Sequence, residues 1–323
     1  MSVATSALSF EQAAHELRPR IEEALERYMR RGPGCPARLA EAMRYSLLAP
    51  GKRLRPLLVL MTAKACGGSI DNAMPAACAL EMVHCYSLIH DDLPAMDNDD
   101  LRRGRPTNHK VYGEAMAILA GDALLTRAFE IIARDVQPPV VAAACCATLG
   151  EAAGAAALVG GQVDDLLGEE GHADVQCSGG GQASQVDETS GSKTTEQLLS
   201  TLESIHQRKT GAIFLASLRL GGLTAAAGPK QIQMLDEYGR RLGLAFQITD
   251  DLLDVQGNEE AAGKRVGKDA DRGKLTFPGV LGIDESARWA RRLVAEACEL
   301  VSPLGAAAEP LASLARFVVE RDR

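Results

Sequence analysis

Eight stretches of this chain place apolar residues at three- and four-residue spacings with charges or small residues between them, the pattern of helices that bury one face. They span residues 10–30 (FEQAAHELRPRIEEALERYMR), 71–89, 115–133, 140–158, 200–221, 231–255, 285–300 and 311–321. Helix formers fill them and alternating β-branched runs are scarce. Prolines fall mostly between them, at 33, 36, 106, 138, 139, 229 and 303. The expected fold class is all-α. One segment, 168–200 (GEEGHADVQCSGGGQASQVDETSGSKTTEQLLS), is polar and rich in Gly, Ser and Gln. It holds too few large apolar residues to offset its ordering entropy, so it reads as a flexible surface insertion. Similar chemistry on both sides of it argues for a single domain over residues 1–323 rather than two joined by a linker.

Charge and composition narrow the partners. The net charge is −8, from 35 basic and 43 acidic residues, and aromatics make up 4%. Neither a phosphate backbone nor stacked bases suit such a surface, so no nucleic-acid partner is expected. The eight cysteines form no Cys-x-x-Cys pair and sit mainly among apolar residues, as reduced thiols in a cytoplasmic protein do. The first twenty residues lack a basic region followed by an apolar run. No stretch is expected to reach the ~18 uncharged apolar residues of a membrane-spanning helix. A cytoplasmic protein without membrane insertion is the expectation.

Two aspartate clusters stand out. SLIHDDLPAMDNDDLRRG, at 87–104, ends an apolar run in Asp91 and Asp92, with Asp97 five residues after the second; QITDDLLD, at 247–254, holds Asp250, Asp251 and Asp254. On a helix, residues three or four apart stack on one face, so the second cluster aligns its carboxylates about a turn apart. The first contains a proline and is expected to start at a helix end and finish on the turn beyond. Like charges placed together call for a cation, and Mg²⁺ takes one or two carboxylates, several waters and phosphate oxygens. An EF-hand is excluded: counted from Asp97, the fifth, sixth and twelfth positions are Leu101, Arg102 and Asn108, where the loop needs an oxygen ligand, a glycine and an oxygen ligand. Basic groups flank both clusters: Lys52, Arg53 and Arg55 in GKRLRP, Arg102 and Arg103, Lys209 beside Thr210, and Lys264, Lys268 and Lys274. They suit two phosphate sites, one metal-bound and one held by Lys and Arg alone. His84, Ser87 and Asp91 share one helical face at ~100° per residue. No Ser/His/Asp or Cys/His arrangement stands out as a nucleophilic site.

These residues make the chain recognisable. GKRLRP (51–56), HCYSLIHDDLPAMDNDDLRRGRPTNHKVYGE (84–114), AGDALL (120–125), GGQVDDLL (160–167), KTG (209–211), FQITDDLLD (246–254) and GKRVGKDADRGKLTFP (263–278) occur in order. Together they resemble the trans-isoprenyl diphosphate synthases, or polyprenyl synthetases, and most of all the bacterial farnesyl diphosphate synthases. The resemblance covers nearly the whole chain except 168–200. It implies the isoprenoid synthase fold, antiparallel helices around a deep central cavity, normally as a homodimer. It implies Mg²⁺-dependent 1'-4 condensation of isopentenyl diphosphate onto an allylic diphosphate, with three metal ions per site once substrate is bound. By position, Asp91, Asp92, Asp97, Asp250, Asp251 and Asp254 would bind the metals. Arg102, Lys209, Thr210, Gln247, Lys264 and Lys274 would hold the allylic diphosphate; Gly51, Lys52, Arg55, His84 and Arg103 would hold isopentenyl diphosphate. Tyr86, the aromatic five residues before Asp91, with two extra residues inside the first aspartate motif, resembles the C15-forming pattern, so farnesyl diphosphate is the expected product. Small neighbours such as Ser87 leave a C20 product open. On the helical wheel Ser87 lies ~40° from Asp91 but Tyr86 ~140° away, so the resemblance alone supports Tyr86 as the floor. A terpene cyclase is disfavoured by GKRLRP and by the second aspartate cluster. A non-catalytic partner subunit is disfavoured because both clusters are intact.

Overall fold

The computed structural model describes residues 8–30, 32–169, 195–206, 208, 211–256 and 276–320. The architecture is all-α, and among the described residues the one sheet is a two-stranded hairpin. In chain order the first helices are α1 (Phe10–Tyr28), α2 (Ala37–Leu47), α3 (Leu54–Ala65) and α4 (Ile70–Asp91). The hairpin β1 (Leu101–Arg102) and β2 (Arg105–Pro106) follows, then α5 (Asn108–Tyr112), α6 (Glu114–Asp135), α7 (Pro139–Ala153) and α8 (Leu158–Glu169). The rest comprises α9 (Thr195–His206), α10 (Ala212–Thr224), α11 (Pro229–Gln256), α12 (Phe277–Leu281), α13 (Ile283–Val301), a 3-10 segment Ser302–Ala308, and α14 (Glu309–Glu320).

α3 and α4 are apolar on nearly every side and form the centre of the bundle. Leu57, Leu58, Val59, Leu60 and Met61 are buried on consecutive positions of α3, as are residues 73–83 of α4. A helix hydrophobic all round belongs in a core, and each buried Leu or Met contributes about 1.5–3 kcal/mol by leaving water. α10 packs against α3, α4, α7 and α11, and α11 against α13.

One contact orients the functional end. A Cβ placed on Gly68, in the α3–α4 turn, would lie 2.5 Å from the Cβ of Ala225, at the end of α10. The α3–α4 and α10–α11 turns therefore meet at one pole. The start of α3, the end of α4, the start of α10 and the end of α11 consequently share the opposite pole. Asp91 and Asp250 are each 21 residues into their helices (91 − 70 and 250 − 229), so each rises ~32 Å from that meeting point at 1.5 Å per residue.

Three sequence expectations need correction. The run 140–158 is not one helix: α7 stops at Ala153, Gly154 is extended (φ −81°, ψ −173°), and α8 starts at Leu158. A Cβ at Gly154 would crowd the carbonyl of Gly150 at 2.7 Å. The expected helix 200–221 is likewise two, α9 and α10, and helix extends into both edges of 168–200. Residues 168–169 close α8, and α9 opens at Thr195 because Leu202 is buried and Leu199 packs on the core; the remaining 170–194 lie outside the described residues. Finally, Pro139–Leu166 does reach the length and apolarity of a membrane-crossing helix, against the expectation that none would. The break at 154–157 divides it, and α7 packs on α6 and α10.

Close helix crossings give the first prediction. A Cβ on Gly221 of α10 would sit 2.5 Å from the Val59 carbonyl and 2.7 Å from Thr62 Cβ, while one on Gly228 would meet nothing within 4 Å. In urea unfolding, Gly221→Ala should cost about 1–3 kcal/mol, and Gly228→Ala should stay within about 0.5 kcal/mol of wild type.

Candidate active site

The first aspartate cluster wraps around the end of α4. Asp91 is the last helical residue and Asp92 caps it. The chain then turns back, so that the Asp97 amide donates to the Asp91 carbonyl at 2.9 Å and the Asn98 amide to that of Leu93 at 3.1 Å. This return, with Asn98 left-handed at φ 51°, keeps Asp97 next to Asp91 despite the extra residues between them. Helix C-termini carry negative partial charge, so carboxylates there are disfavoured by about 0.3–1 kcal/mol each unless a cation joins them. Asp254 stands in the same position near the end of α11.

The six aspartates divide into two kinds. Asp92 is 3% exposed, and its Oδ1 accepts from Arg102 Nε at 2.6 Å and lies 2.5 Å from Arg102 Nη2. Burial raises its pKa against the pull of Arg102, while the pair, outweighing burial, holds Arg102 charged. Asp251 is also buried, and its Oδ2 accepts from the Phe277 amide at 2.9 Å, tying α11 to α12. Asp91, Asp97, Asp250 and Asp254 are only partly buried. Among the described residues no three such groups already converge on one point. A hard-oxygen set that leaves positions to water and phosphate oxygens fits Mg²⁺.

The basic residues gather beside them. β1 and β2 are joined by Arg103-Gly104, both at positive φ (54° and 74°), the signature of a type I′ hairpin turn. The turn aims Arg103 back at the start of α3: its Nη1 donates to the Pro50 carbonyl at 3.1 Å. A Cβ on Gly51 would lie 2.4 Å from that nitrogen, so any larger residue there would displace the guanidinium. Arg55 lies with its guanidinium 5.9 Å from the centre of the Phe214 ring, and its buried Nε has no partner among the described residues. Burial, then Arg103, lower its pKa, while Glu81 opposes them. His84 is held well below the usual 6.5, by burial first and then by Arg55, Arg103, Arg102 and Arg53. A neutral imidazole among arginines, beside an orphaned guanidinium N–H, is a site built for an anion that is not part of the protein.

The structure thus brings together Gly51, Arg55, His84 and Arg103, with Lys52 exposed beside them. Arg102 joins the first cluster through Asp92, and Gln247 is half-buried on α11, one turn before Asp250. Lys209, Thr210, Lys264, Lys268 and Lys274 lie outside the described residues. Tyr86 is buried with its ring edge-on to His90 at 5.7 Å between centroids. Ser87 Oγ donates to the His84 carbonyl at 2.9 Å. Sequence reasoning passed over Phe214 and Phe246, whose rings are 5.2 Å apart and link Arg55 to the helix of the second cluster. It also gave no role to Gln162, buried in α8 with an Oε1 that has no partner among the described residues, although GGQVDDLL was a landmark.

A helical bundle with carboxylates at two helix ends and partly unpaired arginines at the same pole defines a protein that takes metal-bound polyanions. Its relatives make this specific. The polyprenyl synthetase family profile matches residues 36–302, and the chain belongs to that family. It is 48% identical over 279 residues to farnesyl diphosphate synthase of Geobacillus stearothermophilus, covering 85% of this chain and 86% of that protein. It is 43% identical over 310 residues to geranylgeranyl diphosphate synthase of Cyanophora paradoxa, covering 95% of each. Among solved structures, an FPP/GFPP synthase from Zymomonas mobilis superposes with a TM-score of 0.78 at 34% identity, over 96% of this chain and 98% of that one. The protein is a prenyltransferase of the trans-prenyl synthase type.

The imidazole gives a pH prediction. In the unfolded chain His84 binds a proton near 6.5, whereas in the fold it resists protonation. The unfolded state therefore holds more protons below that pH, and stability falls as pH drops, by up to about 1.4 kcal/mol per unit for this one group. Thermal unfolding between pH 7 and 5 should show a shallower fall in Tm for His84→Gln than for wild type; parallel curves would contradict the assignment.

Proposed function

We propose that the chain condenses isopentenyl diphosphate head-to-tail (1'-4) with dimethylallyl and geranyl diphosphates, giving (E,E)-farnesyl diphosphate and free diphosphate. The observation that carries this is the shared pole of two aspartate clusters and an arginine cluster with an unpartnered buried N–H. Asp91 and Asp97 from one side, with Asp250 and Asp254 from the other, would hold Mg²⁺, which neutralises the diphosphate as it leaves. Asp92 acts through Arg102, fixing that guanidinium against the allylic diphosphate, and Asp251 fixes the chain entering α12. Gly51, Lys52, Arg55, His84 and Arg103 hold the second diphosphate without metal. The allylic C1–O bond breaks, the isopentenyl alkene attacks C1, and the departing diphosphate takes the proton that restores the double bond. Fixed geometry replaces a bimolecular encounter, and apolar walls, Phe214 and Phe246 among them, keep water from the cation.

The C15 product is supported by Tyr86. It lies five residues, ~7.5 Å, before Asp91 along α4, and its ring is backed by His90, whose Nε2 is 3.1 Å from the Ile118 carbonyl of α6. A Cβ on Gly121 would lie 2.1 Å from the same nitrogen, so floor and neighbouring helix are tightly coupled. The small Ser87, on the face of Asp91, and the similarity to a geranylgeranyl diphosphate synthase support a C20 product as the second reading.

A homodimer in the cytoplasm is part of the proposal. The apolar α7–α8 run is mostly uncovered, with Val140, Val159 and Val163 exposed alongside Ile118 and Leu119 of α6, a surface that a second copy would cover. Among the described residues no cysteine forms a disulfide.

Purified protein given isopentenyl diphosphate, dimethylallyl diphosphate and Mg²⁺ should yield farnesol after dephosphorylation. Tyr86→Ala should lengthen the dominant product by at least one C5 unit. Geranylgeraniol from the wild type would overturn the C15 assignment while keeping the reaction; absence of condensation by folded protein would overturn the reaction.

A further inference from the structure

Arg53 is the one cation of GKRLRP that points away from the arginine cluster and into the core. It is 4% exposed, and four of its five N–H bonds are taken. Nε and Nη2 donate to Glu22 of α1 at 2.7 and 3.1 Å, Nη1 donates to Glu81 of α4 at 2.8 Å, and Nη2 also donates to the Ala49 carbonyl at 2.9 Å. Its backbone is left-handed, φ 51° and ψ 34°, where it begins α3.

Stability does not account for this arrangement. Packed apolar side chains serve a core as well as a buried ion triad, and a left-handed non-glycine residue costs about 1–2 kcal/mol. Strained residues of this kind persist where surrounding contacts over-determine them, and here the contacts come from three separate elements. The left-handed turn sends neighbouring residues different ways: Lys52 to the surface, and Arg55 to its place over Phe214. The Ala49–Lys52 turn is then held twice, from inside by Arg53 on the Ala49 carbonyl and from outside by Arg103 on the Pro50 carbonyl. Two glutamates against one arginine also leave the triad one negative charge in excess. That excess lies where Glu81 favours the charged form of Arg55.

We propose that Arg53 is a positioning residue for the metal-free diphosphate site, its ion triad with Glu22 and Glu81 setting the place of Gly51, Lys52 and Arg55. The inference rests on the reading of those residues as the isopentenyl diphosphate site. It assigns Arg53 no contact with substrate.

Steady-state kinetics with isopentenyl and geranyl diphosphates test it. Arg53→Lys keeps the charge but loses the fork, and should raise KM for isopentenyl diphosphate about tenfold, with KM for geranyl diphosphate within about twofold. Glu22→Gln, at the half-exposed partner, should act in the same direction by about threefold and carries the test should the arginine variant fail to fold. Lys52→Ala is the control for the site itself. A raised isopentenyl KM in Lys52→Ala, with Arg53→Lys and Glu22→Gln changing only Tm or kcat, overturns the positioning role alone. An unchanged isopentenyl KM in Lys52→Ala overturns the site reading, and the positioning role falls with it.

Discussion

Charge of one sign concentrated at each of two neighbouring places organises this molecule. Asp91 and Asp254 stand at or near helix C-termini, where the backbone is already negative, and Arg55, Arg102 and Arg103 crowd a neutral His84. Among the described residues Asp92 and Glu81 each offset one arginine. On the proposed reading the substrates bring the opposite character to each place: cations with phosphate to the carboxylates, phosphate alone to the arginines. Held in place by the scaffold, such groups would supply the preorganisation that catalysis of charge separation requires.

The scaffold holds this charge because α3, α4, α10 and α11 alternate in direction about a buried centre. Close crossings at Gly68 and Gly221 fix the pole where the turns meet, and so fix the height of the aspartates at the other. The hairpin 101–106 adds what helices alone do not supply, a short ribbon that turns Arg102 towards Asp92 and Arg103 towards Pro50. Positive φ at Arg53, Asn98 and Arg103 marks the places where the backbone is bent to the needs of the site.

Much of this could be read from residue order alone. Helical spacing showed the all-α class, and paired carboxylates beside arginines showed the chemistry, because both depend on neighbours within a turn or two. What escaped depends on distant partners. The partners of Asp92 and Asp251 are examples: a guanidinium ten residues on and an amide 26 residues on. Gly154 read as one more small residue in an alanine-rich run until the Gly150 carbonyl beside it was seen. Nor does helical spacing within α4 show that Tyr86 packs on His90, which meets α6 at Ile118 and Gly121.

The central claim is that carboxylates at two helix ends act only through the metal they gather, whereas the arginine site acts without it. The most direct test is release of diphosphate from geranyl diphosphate with isopentenyl diphosphate, followed in excess chelator as Mg²⁺ is added back. The account predicts no release in chelator and full recovery on adding Mg²⁺. Release at an undiminished rate in chelator would contradict it.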